Sequence, residues 1–248
     1  MKPVLFEVFR LKIYGYGTMI ALGILVALIL LDKKSKIRGY NADDIFNMAI
    51  ISTIGGMLGG KLLYIIVDIK NIIDNPEVLK DLGNGFVIYG AIIGGAISVY
   101  LYCKKKNWDV LKMLDLVIPS VALAQGFGRI GCFLAGCCYG KPTKLPIGVM
   151  FTNSLFAPSN ISLHPTQIYS SIFDFMLAFF LLWHSKKNEK PGRVFALYLI
   201  IYGLGRIIVE FLRADPRGNV FILSTSQFIS IFTIIIGIVV FNIDKFRK

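Results

Sequence analysis

Long apolar runs separated by short polar segments dominate the sequence. A membrane-spanning helix needs about 20 predominantly apolar residues, and seven stretches approach that length. They cover residues 14–31, 45–67, 86–102, 111–134, 166–183, 194–212 and 221–241. The pattern therefore predicts an all-α polytopic membrane protein with seven transmembrane helices. We expect residues 1–248 to form a single integral membrane domain, because no repeat or linker divides them.

The composition agrees with this class and excludes several others. Hydrophobic residues make up 55% of the chain and charged residues only 17%, against about 45–50% and 25% in soluble domains. Such hydrophobicity excludes a disordered chain, and four cysteines in 248 residues are too sparse for a disulfide scaffold. The net charge of +12 could indicate nucleic-acid binding. Loop charges that orient the membrane spans explain it better, so we expect no nucleic-acid partner.

Lysine and arginine concentrate in alternate loops, after the first, third, fifth and seventh stretches. Representative cations are Lys34, Lys105, Lys187 and, at the C-terminus, Lys245. Cytoplasmic loops carry the excess of these residues, so the N-terminus is expected outside and the C-terminus in the cytoplasm. The longest loop, 139–165, is then external. Its prolines and β-prone segment predict a small cap, and an ordinary connector is the alternative.

Ionisable residues inside membrane spans are costly and are functional candidates by default. In the predicted orientation Asp115 lies near the cytoplasmic entry of its span. The polar groups otherwise converge at the outer leaflet, where Tyr16 and Tyr89 also open their spans. The ionisable candidates are Lys61, Asp115, Arg129, Asp174, Arg206 and Glu210, with Arg213 at a span end.

The sixth stretch carries the densest polar pattern. Tyr202, Arg206 and Glu210 are spaced at i, i+4 and i+8 and so share one helical face. Arg206 and Glu210 can pair, and a pair that is only structural is the alternative interpretation. With Arg129 and Lys61 added, however, the positive charge is in excess. This excess favours an anionic ligand such as a phospholipid phosphate, which arginine binds through two parallel hydrogen bonds.

Glycine-rich segments flank these cations. Gly90, Gly94 and Gly128 lie in such segments. Small residues at this spacing usually mark close helix packing. Irregular or closely approached backbone at membrane depth is also tolerated where it lines a cavity. We therefore expect the three glycines to line a cavity for a lipid headgroup.

Four motifs, taken in chain order, resemble those of the prolipoprotein diacylglyceryl transferase family. The second motif, at 128–140, follows the family pattern Gly-Arg-x-Gly-Asn-Phe-x-Asn-x-Glu-x-x-Gly. In this motif Cys132, Ala135 and Cys137 replace the two asparagines and the glutamate of the family. Ser170 follows the third motif where the family has a glutamate, and Tyr89 replaces a family histidine. The motifs are Tyr-Gly-Tyr-Gly at 14–17, Gly-Arg-Ile-Gly-Cys-Phe-Leu-Ala-Gly-Cys-Cys-Tyr-Gly at 128–140, His-Pro-Thr-Gln-Ile-Tyr at 164–169, and Tyr-Gly-Leu-Gly-Arg at 202–206 followed by Glu210 and Arg213.

The resemblance implies an enzyme of the bacterial cytoplasmic membrane. Such an enzyme transfers the diacylglyceryl group of phosphatidylglycerol to the lipobox cysteine of exported preprolipoproteins, and it releases glycerol phosphate. The implied catalytic residues are Arg129, Arg206, Glu210 and Tyr89. The implied substrate-binding residues are Tyr16, Lys61, Gly90, Gly94, Gly128, Tyr202 and Arg213. Two roles stay open for Tyr89, as the base that deprotonates the acceptor thiol or as a group that orients the headgroup. No cofactor and no metal are expected.

The cysteines of the second motif form a Cys-x4-Cys-Cys sequence, Cys132, Cys137 and Cys138. Structural zinc sites use four ligands with repeated C-x2–4-C spacing, so this sequence matches them poorly. Three hypotheses stay open. The cysteines are small apolar fillers, form a disulfide, or include a nucleophilic thiol beside Arg129.

Two alternative functions also follow from the sequence. One is a divergent paralogue that acts on another lipid or another thiol acceptor. The other is a non-enzymatic lipid-binding membrane protein. Transporters tend to show internal repeats with broken helices in matching halves, and the sequence shows no such repeat.

Overall fold

The computed structural model describes residues 4–8, 11–75, 77, 85–152, 154, 156–187, 190–215 and 218–243. Helices dominate these ranges, and each of the seven apolar stretches forms one. The helices are α1 Gly15–Ile37, α2 Ala42–Val67, α3 Ile69–Asp74, α4 Ile88–Lys106, α5 Val110–Ala135, α6 Thr166–Lys187, α7 Arg193–Leu212 and α8 Thr225–Phe241. The strands are β1 Val4–Val8, β2 Leu11–Tyr14, β3 Val149–Met150, β4 Ser162–Leu163, β5 Asn219–Val220 and β6 Leu223–Ser224, paired as three antiparallel hairpins.

Five of these helices, α1, α2, α5, α6 and α7, are long and apolar enough to cross a membrane. The protein is therefore an α-helical polytopic membrane protein, as the apolar pattern predicts. The other two predicted spans do form helices, but each falls short as a membrane span. Helix α8 has 17 residues, and the last three residues of α4 are lysines. The number of seven spans thus stays a prediction.

The chain divides into two compact units, residues 31–113 and residues 1–30 with 114–248. The single integral domain expected from the sequence accordingly stays a prediction. Within the first of these units, α2 packs against α4 through glycines. A Cβ atom at Gly94 would meet the Gly55 carbonyl and lie 3.1 Å from the Gly59 Cα. At Gly90 it would meet the Gly59 carbonyl, so the two backbones approach as closely as in small-residue membrane packing.

The second unit is held together by polar contacts between its helices. The Ser171 hydroxyl of α6 donates to the Gly126 carbonyl of α5 at 2.9 Å. On α5, the Asp115 carboxylate accepts hydrogen bonds of 2.7 Å from the backbone N–H groups of Gly192 and Phe195. Asp115 therefore caps the N-terminus of α7, where the helix dipole favours a negative charge. Asp115 therefore has a structural role.

The long connection 139–165 has a small core of its own. Strand β3 pairs with β4, and Thr143 donates a backbone hydrogen bond of 2.9 Å to Ser162. Phe151, Ala157 and Leu163 are buried together, with Phe133 and Tyr139 packed against them. The connection is thus folded where it is described, and its external location stays a prediction.

The contact between α2 and α4 predicts different tolerance at two adjacent glycines. Gly94→Ala should lower the free energy of unfolding by about 1–3 kcal/mol, the usual range for overpacking, because the new methyl meets backbone atoms that cannot move away. Gly95→Ala is the matched control, since its nearest neighbour is the Ser52 carbonyl oxygen at an ordinary 3.5 Å. Thermal unfolding in detergent measures both. Equal melting temperatures for the two variants would contradict the packing described here.

Candidate active site

A pocket lies between α5, α6 and α7 in the second unit. Its cavity volume is about 10 Å³, about the space of one water molecule and far below the roughly 300–1,000 Å³ of sites that enclose a drug-sized ligand. A phosphate would therefore enter only if the lining side chains moved apart. Its lining residues are Arg129, Ser170, Phe173, Asp174, Tyr202, Gly205, Arg206 and Val209.

Arg206 is held from two sides. Its Nη2 donates to the Ser226 hydroxyl at 2.9 Å and to the Glu210 carboxylate at 3.4 Å. The Arg206 and Glu210 side chains are only 13% and 5% exposed. The Nη1 of Arg206 is buried and has no hydrogen-bond partner among the described residues. A guanidinium carries five N–H donors, so this arginine is fixed in place with a donor still available.

Two further charged groups line the same pocket, Arg129 from α5 and Asp174 from α6. Asp174 is 2% exposed, and its Oδ2 has no hydrogen-bond partner within the described part of the chain. An unpaired buried donor or acceptor costs about 1–3 kcal/mol. The pocket thus holds an unpaired donor and an unpaired acceptor, as expected of a site that binds a polar ligand.

Arg213 forms a pair that the sequence analysis did not anticipate. Its Nε and Nη2 donate to the two carboxylate oxygens of Asp215, each at 2.9 Å, and Arg213 is 8% exposed. This bidentate pair neutralises Arg213, and Glu210 partly neutralises Arg206. The positive excess is therefore smaller than the sequence suggested. The available Nη1 of Arg206, rather than net charge, is the stronger indication of an anion site.

Three further candidates lie in the same unit as the pocket. Tyr202 lines it and stacks on Tyr198 at a ring-centroid distance of 5.3 Å. Tyr16 of α1 lies against α5, because a Cβ built at Gly131 would be 3.2 Å from its ring. At Gly128 a Cβ would meet no described atom of this unit within 4 Å, so packing inside the unit does not require a glycine there.

Four candidates belong to the other unit. Tyr89 is half-buried in the first turn of α4. The Lys61 ammonium lies 5.4 Å and 5.5 Å from the ring centroids of Tyr64 and Phe86, within the range of cation–π attraction. Close packing against α2 accounts for the glycines at 90 and 94. Substrate contacts by these four residues stay predictions.

The chain reverses direction directly after α5. Gly136 has a φ of +75°, the left-handed conformation that commonly ends a helix and favours glycine. The N–H of Cys137 then donates to the Cys132 carbonyl at 3.2 Å. This turn brings the sulfur atoms of Cys132, Cys137 and Cys138 within 4.8 Å of one another. All four cysteines of the chain are free thiols, so the structure contains no disulfide here.

The environment of Cys138 favours its thiolate. Hydrogen bonds with the Cys132 and Cys137 thiols hold the pKa of the Cys138 thiol well below its usual range, and the positive charges of Arg213 and Arg129 act in the same direction. Cys138 follows the end of α5 and also has a positive φ, 63°.

Sequence reasoning missed several pocket residues. The sequence identifies Asp174 as an intramembrane acid without assigning it to the site, and it does not indicate Phe173 or Val209. It also does not indicate Ser226, which holds Arg206 from outside this lining. One signal was available, because Asp174 follows Ser170 by four residues and so lies on the same helical face. Ser170 occupies the position of the family glutamate. The pocket thus has a carboxylate one turn further along α6.

These features define a class, an α-helical membrane protein with a buried, arginine-lined pocket between three helices. A family model described as prolipoprotein diacylglyceryl transferase matches residues 3–243. The chain therefore belongs to the prolipoprotein diacylglyceryl transferase family, whose curated members among its relatives are bacterial transferases.

Three relatives show how far the similarity extends. The phosphatidylglycerol–prolipoprotein diacylglyceryl transferase of Clostridium tetani (strain Massachusetts / E88) is 87% identical over 248 residues, covering 100% of both chains. Transferase 2 of Clostridium perfringens (strain 13 / Type A) is 56% identical, covering 100% of this chain and 97% of its own. The Finegoldia magna transferase is 34% identical over 242 residues, 96% and 94% of the two chains.

Burial of the Arg206–Glu210 pair predicts a strong effect on stability. Glu210→Gln should destabilise the protein by about 3–5 kcal/mol, because it removes the counter-charge of a buried cation. Adding Arg206→Met should recover much of this loss. Asp32→Asn is the matched control, since Asp32 and Lys36 form an i,i+4 pair with side chains 44% and 62% exposed, and exposed pairs contribute about 0–1 kcal/mol. Thermal unfolding distinguishes them. Similar losses in Glu210→Gln and Asp32→Asn would contradict the buried pair.

Proposed function

We propose that this protein transfers the diacylglyceryl group of phosphatidylglycerol to the lipobox cysteine thiol of exported preprolipoproteins, forming a thioether and releasing glycerol phosphate. The observation that carries the proposal is the pair of arginines, Arg129 and Arg206, that face one buried pocket. Family membership over almost the whole chain supports this activity over a non-enzymatic lipid-binding role or a paralogue with other substrates.

The reaction explains why arginines are suited to the pocket. A thiolate attacks the glyceryl carbon, the carbon–oxygen bond to phosphate breaks, and negative charge grows on the departing phosphate. Donors fixed in advance at that position stabilise the transition state, and each can contribute about 3–4 kcal/mol. The unused Nη1 of Arg206 and the guanidinium of Arg129 are such donors.

The other residues of the pocket act through these arginines. Glu210 and Ser226 orient Arg206 by the hydrogen bonds described above. Tyr202 and Arg213 are proposed to contact the substrate, as is Tyr16. Both roles of Tyr89, base or headgroup-orienting group, stay predictions. Asp174 joins the proposed site as a carboxylate inside the pocket.

We also propose that α4 and α8 complete seven spans in the bacterial cytoplasmic membrane. Helices of 19 and 17 residues are about 28 and 26 Å long, close to the roughly 30 Å hydrocarbon core. The positive loops after α1, α4 and α6 then lie in the cytoplasm. The C-terminal Lys245, Arg247 and Lys248 lie outside the described residues. The C-terminal ends of α5 and α7 thus face outside, where exported substrates arrive.

This orientation predicts which engineered cysteines react from outside the cell. A membrane-impermeant maleimide should label Lys144→Cys in the 139–165 connection and leave Lys105→Cys unlabelled. Lys144 is exposed, which makes it a better reporter than Ser154, whose hydroxyl accepts two backbone hydrogen bonds. The unmodified protein controls for labelling of the native cysteines. The reverse labelling pattern would contradict the orientation and place the pocket towards the cytoplasm.

The arginine pocket predicts graded effects at position 206. Arg206→Ala should lower diacylglyceryl transfer at least about 10²-fold, the usual effect of removing one transition-state donor. Arg206→Lys should restore only part of the rate, because an ammonium lacks the planar fork. Mass spectrometry of a lipobox peptide incubated with phosphatidylglycerol measures the product. The melting temperature of each variant controls for misfolding, and full transfer by well-folded Arg206→Ala protein would disprove its catalytic role.

A further inference from the structure

We propose that Cys132, Cys137 and Cys138 bind one zinc ion, and that the open fourth position of this ion takes the acceptor thiol of the protein substrate. The zinc site does not depend on the proposed function; the binding of the acceptor thiol at the open position does rest on it. A structural zinc site needs four ligands, and these three cysteines supply only three. A catalytic zinc site, by contrast, has three protein ligands and one open position.

The geometry of the thiols fits one ion. Their sulfur atoms all lie within 4.8 Å of one another. Zinc–sulfur bonds are about 2.3 Å long, so three sulfurs around a tetrahedral ion are about 3.8 Å apart. The sulfurs are therefore at most about 1 Å further apart than in such a site.

Buried side chains of α6 hold the turn that carries two of the thiols. The Gln167 amide donates to the Cys137 carbonyl at 2.6 Å, and the Thr166 hydroxyl donates to the Cys138 carbonyl at 2.7 Å. Gln167 and Thr166 are each 1% exposed. Ligands fixed in this way by a surrounding shell form a preorganised site.

The number and type of ligands favour zinc. Thiolates select soft ions such as zinc, copper(I) or iron–sulfur clusters, and the common clusters require four cysteines. Three thiolates around Zn²⁺ leave a net charge of −1. The positive charge of Arg129 acts on this cluster and offsets that charge, whereas Arg213 is already paired with Asp215. Arg129 therefore stabilises the loaded site.

The open coordination position can deprotonate the acceptor thiol, as the reaction requires. A thiol that coordinates zinc is deprotonated outright, and its proton passes to solvent. The bound thiolate then forms a bond to the glyceryl carbon, while the carbon–oxygen bond to phosphate breaks and its electron pair leaves with glycerol phosphate. Arg129 precedes Cys132 by three residues and so lies on the same face of α5. The nucleophile and the phosphate-binding arginine are thereby neighbours.

Cobalt(II) is the probe for the ligand set, because thiolate coordination gives it a charge-transfer absorption. The full chain, purified in detergent and kept reduced, should bind one cobalt per chain with this band, and zinc should displace it. Cys137→Ala should abolish stoichiometric binding. Cys103→Ala is the matched control, since Cys103 is a fully buried cysteine of α4, and it should bind as the unmodified protein does. A chain without the band, or equal binding by both variants, would overturn the zinc site.

The role of the open position has its own readout. A lipobox peptide should shift the cobalt spectrum towards that of four thiolates, and the same peptide with serine for cysteine should not. Binding without a peptide-dependent shift would overturn the acceptor role. Transfer is assayed separately, and full transfer by zinc-free protein would also overturn that role. A protein that binds zinc and the thiol peptide but transfers no lipid would uphold the inference and refute the proposed function.

Discussion

Burial of a guanidinium inside a helical membrane protein is the constraint on which the pocket depends. A buried cation costs several kcal/mol unless it is paired and hydrogen-bonded. Arg206 meets this requirement with Glu210, one turn along α7, and with Ser226 in the first turn of α8. The same contacts leave its Nη1 without a partner among the residues that the structure describes. The contacts that stabilise the arginine therefore also hold its side chain in place, and the remaining N–H is available to a ligand.

The helices around this arginine are tied together at both ends of the unit. At one end Asp115 of α5 caps α7 through two backbone hydrogen bonds. At the other end the backbone N–H of Lys141 donates to the Leu212 carbonyl at 2.8 Å, which joins the turn after α5 to the end of α7. In the proposed reaction, a pocket held at both ends would keep its donors in place. Such preorganisation is what makes electrostatic stabilisation effective.

Much of the fold follows from the sequence, because apolar length decides where helices form in a membrane protein. Arg206 and Glu210 were also predictable as a pair, since their i,i+4 spacing holds in any helix. Asp174 was not assigned to the pocket, because its neighbours there come from α5 and α7, which only packing brings together. The pairing of Arg213 with Asp215 depends on how the chain leaves α7, and the convergence of three thiols depends on the turn at Gly136.

The turn at Gly136 gives a common explanation for the residues that differ from the family pattern at the end of α5. Cys132 and Cys137 stand where the family pattern has polar side chains, and taken alone each exchange removes a hydrogen-bonding group beside Arg129. Taken together with Cys138, they place three soft ligands within 4.8 Å. Arginines that stabilise a phosphate anion also stabilise thiolates. In the proposed reaction, the same positive field would serve both the departing phosphate and the attacking sulfur.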